Sequence, residues 1–191
     1  MSSRESLIES TRSLLWERGY VGTSPKAIQQ RAGAGQGSMY HHFSGKEELA
    51  LAAIERSAEV LREVADAQLS TEGTAYARIE AFLRRERDVL RGCPIGRLTQ
   101  DPDVMATPAL RAPVEETFAW LRGRLTAVLQ DGLDHGEFPG TLDPSTTALA
   151  IVAVMQGGYV LARADDSPQR FEEAATGILG LLAAYRRPET E

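Results

Sequence analysis

Between Lys26 and Lys46 the chain gathers side chains suited to a polyanion with readable edges. The Gln36 amide carries a donor and an acceptor that match adenine N6 and N7 in a major groove, and the Ser38 hydroxyl can reach several base edges. Tyr40 and His41 offer a phenol and an imidazole of the kind that bond phosphate oxygens. Lys26 and Lys46 each fall in the first turn of an expected helix, where backbone N–H groups without helical partners already favour anions. Other chemistries find less support. Gly33-x-Gly35-x-Gly37 lacks the GxGxxG spacing, the preceding strand and the ribose-binding acid of a dinucleotide loop. Three histidines and one cysteine do not assemble a metal site, because His41 and His42 are adjacent and diverge on a helix. There is no GxSxG or comparable nucleophile motif, so no catalytic residue, cofactor or metal is expected.

The elements that must position these groups are helical. Leu7, Ile8, Thr11, Leu14 and Leu15 form one stripe, closed by Gly19. Ser24 caps and Pro25 opens a second helix to about Ala32, stopped by Gly33. A third short helix spans about Gln36 to Phe43, and Lys46 begins a long fourth one reaching toward Leu69. Small residues Ala32 and Gly33 allow a tight turn, with Ile28, Met39 and Phe43 supplying apolar contacts beneath. His42 also turns inward. This is a helix-turn-helix unit, which needs such a turn to stand its last helix in a groove.

Gly-Tyr-x-Gly-Thr-Ser from Gly19, Ile-x-x-x-Ala-Gly from Ile28, Gly-Ser-x-Tyr-x-His-Phe from Gly37 and Lys-Glu-Glu-Leu from Lys46 together resemble the DNA-binding signature of the TetR family of repressors. Residues 7 to 49 match in order and spacing. The resemblance implies a homodimer of nine- or ten-helix chains that binds double-stranded operator DNA and releases it on binding a small molecule. It places Thr23 and Lys26 at phosphates, Gln36, Gly37, Ser38, Tyr40 and His41 on the recognition helix, and Lys46 at a further phosphate. The sequence departs from the usual pattern at Gln29 (Ala), Ala34 (Val) and Gly35 (Ser or Thr). Glycine is only about a few tenths of a kcal/mol worse than Ser as a cap, so the third helix is still expected to form.

The net charge of −6 looks unfavourable for DNA, but residues 1–50 carry +1 and the remainder −7. Phosphate contact depends on nearby charge. One cysteine, Cys93, excludes an intrachain disulfide and reads as a small buried hydrophobe in a reducing compartment, with a redox role the lesser alternative. The beginning carries no apolar run, so a cytoplasmic protein is expected. Ala148 to Ala162 is interrupted by Gln156-Gly157-Gly158 and falls short of the roughly 20 apolar residues of a membrane span. A buried helix and no membrane partner are expected.

Beyond residue 46 the pattern stays helical, so the class is all-α: a head at residues 1–46 and a ligand-binding and dimerisation domain at 47–191. Helices are expected over Ala75 to Leu90 (Ile79, Phe82, Leu83 and Leu90 inward), Val114 to Asp134, Asp143 to about Arg163 and Ser167 to about Tyr185. Six glycines and prolines leave 91–113 room for short helices only. Phe82, Met105, Phe118, Trp120, Met155 and Tyr159 are the large soft residues able to line a pocket, with Arg97 and Gln156 as polar anchors. They point to an apolar or aromatic effector. The last two helices have more apolar surface than one protomer core can use, which calls for a second copy. The competing reading is a small-molecule carrier whose helix-turn-helix no longer reads DNA.

Overall fold

The computed structural model describes residues 2–186; residue 1 and residues 187–191, the outer ends of the two expected domains, lie outside the described residues. Within it every element is helical. The order is α1 (Ser3–Arg18), α2 (Pro25–Ala32), α3 (Gln36–His42), α4 (Lys46–Leu69), α5 (Ala75–Arg84), a 3-10 turn (Gly96–Gln100), α6 (Pro102–Ala106), α7 (Pro108–Asp134), α8 (Pro144–Ala164) and α9 (Gln169–Ala184). The chain forms two compact units: Met1–Leu61 with Cys93–Thr117, and Arg62–Gly92 with Phe118–Glu191. α4 and α7 each contribute residues to both.

In the first unit the caps follow the sequence closely. Ser24 accepts from the Ala27 N–H, Pro25 takes the first position of α2, and Gly33 ends it in the left-handed conformation at φ 62°. Leu7, Ile8, Leu14, Ile28, Met39, Phe43 and Leu49 close into one buried cluster under α1 to α4, with Ala27, Ala32, Ala34 and Ala52 packed against it. The small residues keep the helices close.

Two boundaries differ from expectation. α5 stops at Arg84, not Leu90, and Leu90 is left exposed. Arg85 turns extended, and the Arg87 guanidinium folds back to donate to the carbonyls of Phe82 and Leu83. Those last-turn carbonyls need donors, and a charge-assisted bond supplies them. The seven-residue step from Leu83 to Leu90 therefore imitates a periodicity that the helix does not continue. α7, in turn, begins at Pro108 and runs through Pro113 instead of starting at Val114. Pro108 sits at the first helical position, where a missing N–H does no harm.

In the second unit α8 and α9 lie together. Gly158 permits this: a Cβ there would sit 3.1 Å from the Phe171 ring and 3.4 Å from Ala174. The run from Ala148 to Ala162 is expected to fall short of a membrane span, but Gln156-Gly157-Gly158 does not interrupt the helix. Among the described helices, α8 is the one long and apolar enough to cross a membrane by length and composition. Its buried side is Ala148, Ile151, Val152, Met155, Gly158, Tyr159 and Ala162. Glu137 enters α5 from outside, accepting from the N–H groups of Ala75 and Tyr76 at 2.7 and 3.1 Å, so an anion completes that helix N-terminus.

Candidate nucleic-acid interface

α3 is held from below and open from above. Met39 and Phe43 are buried in the cluster just described, while Gln36, Gly37, Tyr40 and His41 are exposed. Tyr40 is 50% exposed, a large aromatic left in solvent on a seven-residue helix. Ser38 is half-buried, its hydroxyl 2.6 Å from that of Ser3 in α1. Of the five expected recognition residues, Gln36, Gly37, Tyr40 and His41 are thus outward, while Ser38 is turned toward α1. Gly35 provides no side-chain cap, as expected, and its carbonyl receives the Ser38 and Met39 N–H groups. Gln29, one of the departures, lays its amide against the Met39 sulfur at 3.5 Å.

The expected phosphate ligands divide. Lys26 is exposed in the first turn of α2. Thr23 is 1% exposed, and its hydroxyl donates to the Gly19 carbonyl at 2.7 Å. It closes the α1–α2 turn instead of facing outward. The Lys46 Nζ donates to the Tyr20 carbonyl at 2.7 Å and lies 3.8 Å above the Tyr20 ring. Burial pulls the Lys46 ammonium below the usual lysine range, and the charges of Asp101 and Asp103 pull it back. Other head cations are engaged too: Arg12 with Glu9 at 2.6 Å and Arg31 with Glu17 at 2.9 Å.

Two groups near the site escaped sequence reasoning. Arg4 is exposed at the start of α1 with its guanidinium 5.4 Å from the Phe43 ring, beside the end of α3. Its place follows from the α1–α3 packing, which no local spacing announces. Asp101, buried, accepts from the N–H groups of Tyr20 and Val21, some 80 positions away. Ser44 and Glu48 brace the start of α4: Glu48 accepts from both the N–H and the hydroxyl of Ser44 at 2.7 Å, just before the Gly45 carbonyl that receives the Leu49 N–H. Those bonds hold the Glu48 carboxyl below its ordinary range.

The expected effector residues are divided between the units. Arg97 and Met105 belong to the first; Phe82, Phe118, Trp120, Met155, Gln156 and Tyr159 belong to the second. In the second, Arg87 gathers the aromatics: its guanidinium lies 4.7 Å from the Phe171 ring and 5.9 Å from Phe82, and reaches the Tyr159 hydroxyl at 3.4 Å. Phe82, Met155 and Tyr159 are buried, whereas Phe118 and Trp120 are half-buried, two positions apart on α7 and so on different sides of it. Gln156 buries its amide nitrogen without a hydrogen-bond partner, and Arg97 does the same with its Nε. A groove of about 380 Å³ between the ends of α8 and α9, lined by Thr146, Ala150, Ile178, Leu181 and Tyr185 among others, includes none of the expected effector residues.

Known proteins resemble the chain along most of its length. Residues 7–53 match the family model for bacterial regulatory proteins of the tetR family, and residues 74–178 match the tetracyclin repressor-like C-terminal domain. The HTH-type transcriptional regulator LmrA of Bacillus subtilis is 27% identical over 168 residues, covering 84% of this chain and 86% of its own. The HTH-type transcriptional repressor NemR of Escherichia coli is 22% identical over 188 residues, covering 95% and 94%. A crystallised TetR transcriptional regulator from Chloroflexus aurantiacus superposes with a TM-score of 0.85 at 29% identity, over 97% of this chain and 96% of that one. With residues 7–53 and 74–178 both matched, the chain belongs to the TetR family, whose members are transcriptional regulators and not enzymes.

Proposed function

We propose that the protein is a cytoplasmic, ligand-responsive repressor that binds a two-fold symmetric operator as a homodimer and lets go when a small lipophilic or aromatic molecule binds. The observation that carries this reading is the display of Gln36, Tyr40 and His41 from α3 over a closed apolar cluster. Buried side chains fix the helix, and the outward ones are those that address bases and phosphates. In this reading Lys26, Tyr40 and His41 meet the backbone, while Thr23 and Lys46 hold the frame.

Residues 1–46 then serve as the DNA-binding domain and 47–191 as the effector and dimerisation domain. Support for a second copy comes from the outer faces of the last two helices. Leu149, Val160, Leu161, Leu181 and Tyr185 are all more than half exposed. Gly157, Gly177 and Gly180 have open space where a Cβ would stand, so another helix can approach closely. Support for an effector with a hydrogen-bond acceptor comes from Gln156, whose buried amide nitrogen lacks a partner. Such an orphan donor costs about 1–3 kcal/mol, which a ligand oxygen would recover. α4 starts in the first unit and ends in the second, so a ligand-induced tilt changes the spacing of two recognition helices; coupling of about 1–3 kcal/mol is expected for such systems.

The test is a retardation assay on DNA upstream of the chain's own gene, followed by titration of lipophilic and aromatic compounds into the complex. A discrete complex that dissociates saturably supports the proposal. Saturable ligand binding with no retardation at any protein concentration would favour the carrier reading.

A further inference from the structure

We propose that Asp101 is a positioning residue for DNA binding: its carboxylate, together with the Lys46 ammonium, holds the α1–α2 turn in the shape that presents α2 and α3. The proposal rests on the repressor reading. Asp101 is 7% exposed. One carboxylate oxygen accepts from the Tyr20 N–H at 2.6 Å and the Val21 N–H at 3.0 Å, and the other accepts from Val104 N–H at 3.3 Å. On the other side of the same peptide, the Tyr20 carbonyl accepts from Lys46 Nζ at 2.7 Å and from Thr23 N–H at 3.1 Å. Thr23 adds its hydroxyl to the Gly19 carbonyl. The turn is thus gripped from α4, from α6 and from within itself, and α2 begins two residues after Thr23.

Glycine is required where the grip is closest. Gly19 has φ 73°, and a Cβ there would stand 2.7 Å from the Asp101 carboxylate oxygen. A buried carboxylate is tolerated only where donors surround it, and here the turn's own N–H groups do so. The position of the DNA-facing helices therefore depends on a residue in the segment that leads into α7. Lys46, matched by family pattern to a phosphate, has in this proposal a partner within the protein.

The two roles predict opposite signs. Removing a negative charge near a DNA-binding surface strengthens attraction to phosphate; breaking the grip weakens binding. Asp101→Asn keeps the shape and the capping competence for α6, but its amide places an N–H₂ where an acceptor is needed. Asp101→Ser keeps the cap and is too short to reach the turn. Lys46→Met keeps the stem and removes the ammonium. Full-length variants would be measured against a duplex that the wild type selects from a random pool, over a range of salt, with thermal unfolding and sedimentation as controls.

The expected result is a loss of about tenfold in affinity for Asp101→Asn and for Asp101→Ser, the order expected when a hydrogen-bonded buried group is broken. Lys46→Met should lose as much, with an unchanged slope of log K against log salt, and the Asp101→Asn/Lys46→Met double variant should be no worse than either single. The amide resonances of Tyr20 and Val21 should shift in Asp101→Asn and stay in place in Tyr40→Ala. Affinity for Asp101→Asn equal to or above wild type would overturn the proposal. So would a fall of about one unit in the Lys46→Met salt slope, which would put that ammonium on a phosphate. If the wild type selects no duplex at all, the repressor reading fails; if it selects one and the Asp101 variants bind it equally well, this proposal alone fails.

Discussion

Alanine placed at two glycines of α7 should move stability in opposite directions. Gly123 is exposed, and a Cβ built on it meets nothing within 4 Å. Gly132, nine residues on in the same helix, is buried. A Cβ there would come within 2.7 Å of the Ala75 Cβ and 2.7–2.8 Å of two Phe138 ring carbons. Both substitutions gain the same helix propensity, about 1 kcal/mol. Only Gly132→Ala adds volume to a filled site. Its neighbours are the first residue of α5 and a ring 1% exposed, neither a flexible end that swings aside. Overpacking of this kind costs about 1–3 kcal/mol, and contacts this short argue for the upper end. The net expectation is a gain of about 1 kcal/mol for Gly123→Ala and a loss of about 2 for Gly132→Ala. At this chain length each kcal/mol moves Tm by about 2–4 °C. Urea denaturation and thermal melts at one fixed protein concentration would resolve the pair, since a dimer's stability depends on concentration. Equal shifts of the same sign in both variants would refute the packing argument at the α5–α7 contact.

Other expectations follow from the same geometry. Tyr40→Ala should weaken selected and random duplexes alike in a retardation assay, whereas Gln36→Ala should lose about 1–3 kcal/mol of discrimination at one base pair only; the reverse pattern would exchange their roles. Leu161→Glu combined with Leu181→Glu should leave helicity intact and sediment as a monomer at micromolar protein; an unchanged dimer would exclude the exposed α8–α9 faces as the interface. His135 bonds the Asp131 carbonyl at 2.8 Å and faces its carboxylate, which raises the imidazole above its usual value. A group raised on folding stabilises below its unfolded value of about 6.5 and loses this as pH climbs through the folded value. The stability lost in His135→Gln should therefore be larger at pH of about 5.5 than at about 8.5, and equal losses by denaturant titration would count against the contact.

What could be read from the chain was local. Ser24-Pro25, Gly33 and the spacing of Ile28, Met39 and Phe43 specify caps, a turn and an inner face within a few residues of one another. The outward set on α3 follows from that inner face by helical periodicity. What stayed hidden depends on distant partners. Asp101 looks like a surface acid beside Pro102 until the fold brings the Tyr20 and Val21 N–H groups to it. Lys46 reads as a phosphate contact at the start of α4, yet its ammonium donates to the Tyr20 carbonyl. Gly157 and Gly158 look alike in the chain, yet only Gly158 meets a neighbouring helix closely, and nothing local marks Gly132 as a packed site. The expected effector residues are large and soft, properties shared with ordinary core. Phe82 and Tyr159 accordingly join a packed cluster around Arg87, while Arg97 and Met105 belong to the other unit.

In the proposed function, α3 of a paired protein reads DNA. Selection of duplexes from a random pool by the full-length wild type, with Tyr40→Ala carried through the same rounds, tests it most directly. The expected outcome is enrichment of a two-fold symmetric sequence whose half-sites lie about one helical turn, or a multiple of it, apart, and no such enrichment with Tyr40→Ala. A wild-type pool that remains random, or one that matches the Tyr40→Ala pool, would contradict it.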